Sequence, residues 1–250
     1  MNSKQHLDHL LKEWPFEAEG LGVRLVKGDD GRDVIQVRVD LGILQLETSG
    51  RPDGIQPEGH DSLLSMLLEK EQETPDFELD DETCCDIDAE FVQFYHRRMA
   101  WLRLQRFDLA VRDAEHTLAL MDFCKEHSPY EEWTFQHEQH RAFVLFHLSQ
   151  ASALLAIERQ QPKTAISEIE SGLELIAENY EELGWDEQFE NDELVERLRA
   201  MRESIRTDYE VAPTLAEQLA EAVELEQYEL AAKLRDRIDS EQRNHHSASE

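Results

Sequence analysis

Hydrophobic positions recur along this chain at two periods, and the change between them divides it. In residues 1–60, Val23 and Leu25 alternate with polar neighbours, as do Ile35, Val37 and Val39. A two-residue period places every second side chain on one face, the mark of a half-buried strand. It predicts strands over Gly22–Lys27 and Val34–Glu47, with the turn cluster Gly28-Asp29-Asp30-Gly31 between them. Gly42 is expected to break or bulge the longer run. Leu7, Leu10, Leu11 and Trp14 fall at helical spacing ahead of the strands. Residues 1–60 therefore read as a small α/β unit with a β-hairpin. They run into the turn Gly50-Arg51-Pro52-Asp53-Gly54, to which the sequence assigns no role.

From residue 61 onward the period is helical. Residues 61–82 hold one helix, near Ser62–Gln72, and then an acidic connector marked by Pro75 and the run Asp76–Glu82. Residues 83–209 are almost wholly helical, with a theme stated twice. Trp101, Phe107, Asp108, Ala110, Val111 and Ala114 form one instance; Ala153, Ala156, Ala165, Ile166, Ile169, Gly172 and Leu173 form the other. Both resemble the tetratricopeptide repeat (TPR), in which small residues let paired helices cross closely. Ala153, Ala165 and Gly172 stand at the small positions of that repeat, but in the first instance only Ala110 does; Arg98 and Thr117 occupy the others. The offset of 55 residues also exceeds the usual period of about 34. A lengthened, divergent repeat and a plain antiparallel helical bundle both fit. The last helix of this region, residues 191–209, carries Leu194, Leu198, Met201 and Ile205 on one seam and Arg199, Arg202 and Arg206 on a neighbouring face.

Residues 212–242 read as two short amphipathic helices. Thr214 and Glu217 make a capping box behind Pro213. Leu215, Leu219, Ala222 and Val223 share one face, the chain turns near Glu226–Gln227, and Tyr228, Ala231, Ala232, Arg235 and Ile238 share the next. Leu219, Ala222, Val223, Tyr228-Glu229, Ala231-Ala232, Leu234-Arg235-Asp236 and Ile238 together resemble the UVR motif. This helical hairpin is shared by the UvrB and UvrC repair proteins and by some regulators of Clp proteases. The usual Phe is replaced by Tyr228. The resemblance implies a bacterial-type docking hairpin with a protein partner drawn from excision repair or Clp machinery, or a second copy of the chain. Leu219, Ala222, Val223, Tyr228, Glu229, Ala232, Arg235 and Asp236 would be the partner-binding residues. Physics agrees that such a unit needs a further surface, because segments shorter than about 40 residues rarely bury enough to stand alone. Residues 243–250, with His245 and His246, read as a disordered tail.

Composition narrows the function. The chain has 56 acidic and 25 basic residues among 250, a net charge of −31. A surface of that sign repels phosphate backbones, which argues against direct nucleic-acid binding. Three cysteines form no disulfide framework. Neither a secretory leader nor an apolar run of about 20 residues is visible, so a cytoplasmic, non-membrane location is expected. No Walker A loop or G-x-S-x-G elbow occurs, and Cys84-Cys85 lie among acidic residues that oppose a thiolate. The Gly28–Gly31 and Gly50–Gly54 segments lack the context of phosphate or calcium loops.

The rival to a docking protein is a metal-binding or enzymatic helical bundle using His116, His137 and His140. His137 and His140 are spaced i, i+3 around Glu138 on one expected helix. His116 follows Asp113 at the same spacing, and Cys124 precedes His127. Such pairs can share a cation, but the Glu-x-x-His pair repeated on two helices is missing. The expectation is a mainly α protein with a small N-terminal α/β unit, a TPR-like antiparallel helical body and a two-helix UVR hairpin. It is expected to be non-catalytic and to need no cofactor.

Overall fold

A computed structural model of the chain describes residues 6–213, 218, 219, 222, 223, 225, 227–235 and 237. The architecture is mainly helical with one small antiparallel sheet. The chain divides into two compact units, residues 1–200 and residues 201–250.

The first unit opens with helix α1 (Asp8–Glu13) and a three-stranded meander, β1 (Gly22–Lys27), β2 (Asp33–Val39) and β3 (Gly42–Glu47). The long strand expected over Val34–Glu47 is thus two strands, and the break falls just before Gly42. Leu25 pairs with Ile35, which pairs in turn with Leu46. The Gly28–Gly31 turn is held by Arg32, whose guanidinium spans from Asp30 to Glu47 on β3. One face of β2, Ile35 and Val37, is fully buried in a core shared with Ala100 and Trp101, Ala110, and Ala151 of the helices. The alternating pattern of β2 therefore points at the helical body. On the opposite face Arg24 donates to Gln36 and stacks over Trp14, so the residues after α1 cover that side.

Helix α2 (Leu63–Glu73) starts at Ser62, whose side chain and that of Ser65 cap each other's backbone N–H groups. Helix α3 (Asp81–Arg103) starts at Asp80, which accepts from the Thr83 N–H. The end of the acidic connector is thus the first turn of α3, where negative charge meets the positive end of the helix dipole. The body continues with α4 (Phe107–His127), α5 (Glu131–Glu138), α6 (Arg141–Glu158), α7 (Pro162–Glu182), the single turn α8 (Asp186–Phe189) and α9 (Glu193–Tyr209). Asp192 caps α9 by accepting from Leu194 and Val195, and Tyr180 holds that carboxylate from α7.

The pairs α3–α4 and α6–α7 are built alike. Gln105 and Gln160, 55 residues apart, take positive φ angles of 56° and 59° in their loops. In both loops the next N–H reaches back five residues, Arg106 to Trp101 and Gln161 to Ala156, each at 2.9 Å. This is the Schellman arrangement, which closes a helix and reverses the chain in a few residues. The crossings differ. In the second pair, a Cβ on Gly172 would collide with Ser149, so the backbones meet closely. In the first, Thr117 stands where Gly172 does, and its hydroxyl accepts at 2.9 Å from Arg98, the counterpart of Ala153.

Candidate functional site

In the second unit, residues 218, 219, 222 and 223 are helical, as are 228–235 and 237. The reversal between them is closed by a 2.7 Å bond from the Gln227 N–H to the Ala222 carbonyl, and Ala231 N–H then bonds to Gln227. Ala222, Ala231 and Leu234 are buried together, with Leu219 packed on them. Two alanines at this seam let the helices approach, as the sequence implied for Ala231. Ala232, expected beside it, is exposed, as are Glu229 and Arg235. The buried stripe of the second helix is Ala231–Leu234, rotated away from the expected Tyr228–Ala232–Arg235 face.

What remains outside is informative. Tyr228 is 68% exposed, and Val223, Leu225 and Leu230 are large apolar side chains exposed with it. Leu225 and Leu230 were not among the expected contact residues. The signal for them was present as leucines off the helical stripe. Of the expected residues, Leu219 and Ala222 belong to the seam that holds the hairpin, while Val223, Tyr228, Glu229, Ala232 and Arg235 face outward. Asp236, Ile238, the Thr214–Glu217 capping box and the tail with His245 and His246 lie outside the described residues.

The histidines of the rival reading serve other partners. His116 Nε2 is 2.9 Å from Glu90 and its ring stacks on Phe94 at 3.8 Å. His137 Nε2 is 2.9 Å from Asp88, and burial holds its pKa below the usual histidine value although Asp88 pulls the other way. His137 lies in the last turn of α5, whereas His140 stands at the start of α6, so the single helix expected to carry both is interrupted. Arg141 folds back there to grip Glu138 with two bonds of 2.7 and 2.9 Å. His127 packs against Phe77 and Phe123, and burial raises the thiol pKa of its sequence neighbour Cys124. Cys84 is likewise pushed up to about 11, mainly by burial and then by nearby aspartates. No group of three or more His, Cys, Asp or Glu among the described residues could hold a metal ion.

The interior of the first unit carries charge that sequence reading passed over. Arg97 of α3 makes a two-pronged pair with Asp113 of α4, at 2.7 and 2.9 Å, both side chains fully buried. Its Nη1 also donates to the carbonyls of Glu47 and Gly50, and Arg112 donates to that of Thr48. Buried Arg51 lies against Glu90 and Asp53. The Gly50–Gly54 turn thus has a role: the Gly50 carbonyl and Arg51, with the Glu47 and Thr48 carbonyls just before the turn, fasten the sheet to α3 and α4. Glu90, fully buried, accepts the N–H groups of Leu63 and Leu64 and so caps α2 from another helix. The only sequence hint was Arg98 and Thr117 at positions where the repeat wants small residues.

The Arg stripe of α9 is neutralised locally. Arg199 pairs with Glu190, and Arg202 and Arg206 each pair with Glu203. No helix among the described residues is long and apolar enough to cross a membrane.

No curated protein and no solved structure matches the chain. One family model does, over residues 210–241, and the residues it spans are those of the hairpin built on Ala222, Ala231 and Leu234. The chain therefore carries a UVR motif, the UvrB/uvrC motif, at residues 210–241.

Proposed function

We propose that this protein is a non-catalytic adaptor that docks a protein partner through its UVR hairpin. The observation that carries the reading is the motif's geometry. A two-helix seam of Ala222, Ala231, Leu234 and Leu219 leaves Val223, Leu225, Tyr228 and Leu230 exposed around what is, among the described residues of the hairpin, a small core. Exposed aromatic anchors of this kind supply much of the energy of protein interfaces. Glu229 and Arg235 beside them would select the partner by charge. By resemblance, the partner belongs to excision repair or is a Clp-type ATPase. The body reads as two lengthened TPR-like hairpins, supported by their matching loops at Gln105 and Gln160.

Affinity capture with the full chain and with a 1–211 truncation tests this. A protein retained by the full chain and lost with the truncation supports the reading. Identical captures from both would sink it.

A further inference from the structure

Between α3 and α6, over α4, lies a groove of about 500 Å³, a size typical of small-molecule sites. Phe91, Val92 and Tyr95 of α3, Met121 of α4, and Phe143 and Val144 of α6 form apolar walls. Arg98 and Thr117 also line it. Arg98 is only 2% exposed, yet it has no carboxylate within ion-pair distance among the described residues. Its hydrogen-bond partners are neutral. Nη1 donates to Thr117 Oγ1 at 2.9 Å, and Nε donates to His147 Nδ1 at 3.4 Å.

The acid whose charge acts on it does not pair with it. Asp113 is already gripped by Arg97 on both oxygens and by Arg112 on one. Burial pushes the Arg98 pKa down to about 10, and Asp113 offsets that only in part. His147 is itself driven down to about 3 by burial and by Arg98 and Arg197. A buried guanidinium with only neutral acceptors is costly unless an anion completes it.

We infer that this groove binds a small amphipathic carboxylate, its anionic end on Arg98 and Thr117 and its apolar body along Phe91, Tyr95 and Phe143. The inference is independent of the hairpin. A guanidinium presents a planar fork that matches a carboxylate with two parallel hydrogen bonds. The walls favour an apolar body over a peptide, whose backbone amides would need partners of their own. Of the other polar residues that line it, Asp88 and His137 are occupied with each other, and Gln136 and His140 complete the lining.

The test is calorimetric titration of the full chain with 4-phenylbutyrate, with its neutral amide, and with a tetrapeptide ending in a free-acid phenylalanine. The acid is expected to bind at least about tenfold more tightly than the amide, the increment of one charge-assisted contact. Arg98→Met is expected to erase that difference. Val92→Trp, at an exposed wall position, is expected to weaken the acid at least about tenfold by filling the groove. The acid–amide comparison on the unaltered chain stands even if Arg98→Met does not fold. Equal binding of acid and amide, or binding of neither, overturns the inference. Tighter binding of the tetrapeptide than of phenylbutyrate overturns the choice of a small molecule.

Discussion

Gly172 of α7 lies so close to Ser149 of α6 that a Cβ on the glycine would overlap both Cβ and Oγ of the serine. The Ser149 hydroxyl is turned onto the Leu145 carbonyl at 2.8 Å, but its Cβ cannot turn away. Gly172→Ala is therefore expected to destabilise the protein. Overpacking costs roughly 1–3 kcal/mol, and the helix propensity of alanine returns about 1 kcal/mol. Overlap with a Cβ that cannot move aside puts this site in the upper half of that overpacking range, so a net loss of about 1–2 kcal/mol should appear as a lower urea midpoint with unchanged slope. Ser149→Gly in the same chain should recover part of it, because the two sites share one contact. A neutral Gly172→Ala would show that the helices are not in contact there.

The Arg97–Asp113 pair predicts an asymmetry between its two ends. Asp113→Ala leaves Arg97 and Arg98 buried with no acid between them, and removal of one partner of a buried pair costs about 3–5 kcal/mol. Arg97→Met leaves Asp113 with Arg112 and should cost less. Arg97 also holds the Glu47 and Gly50 carbonyls, so its loss should loosen the sheet first. Hydrogen exchange of β3 amides checks this; protection in β3 unchanged by Arg97→Met would contradict it.

His147 makes stability depend on pH. Its folded pKa lies near 3 because burial, with Arg98 and Arg197, disfavours the imidazolium, while the ordinary value is 6.5. Between those values the unfolded chain binds a proton that the folded chain does not, so this residue lowers stability as pH falls from about 6.5 toward about 3. At one pKa unit per about 1.4 kcal/mol, it accounts for roughly 2 kcal/mol of loss between pH 6.5 and 5. His147→Gln should lose less stability by about that amount over the same range. Parallel curves for the two proteins would contradict the assignment.

How far these features were legible in the sequence follows from what each one depends on. The strands and helices of the body show in local periodicity, and Gly42 marked the break between β2 and β3. The buried arginines did not show, because composition places arginine at the surface. Only the fold brings Asp113 to Arg97, one helix away. The break between His137 and His140 carries no Pro or Gly. It depends on Arg141 turning back to Glu138, a contact no spacing rule anticipates. In the hairpin, periodicity revealed an apolar stripe but not its centre, since Ala231 fits both the Tyr228–Arg235 face and the Ala231–Leu234 face. Burial of Leu234 and exposure of Tyr228 fix it.

That division predicts separable effects in the hairpin. Leu234→Asp puts a charge into the Ala222–Ala231 seam and should unfold the hairpin, with a loss of helical circular dichroism. Tyr228→Ala removes an exposed side chain and should leave both the spectrum and the melting temperature unchanged. A spectrum lost in both variants would mean that Tyr228 is structural.

The most direct measurement of the docking claim is the affinity of the captured partner for the Tyr228→Ala protein relative to the unaltered chain, with folding confirmed in the same samples. An aromatic hot spot is worth about 2 kcal/mol or more, so binding should weaken by about thirtyfold or more. Equal affinity for a folded Tyr228→Ala protein would contradict the account.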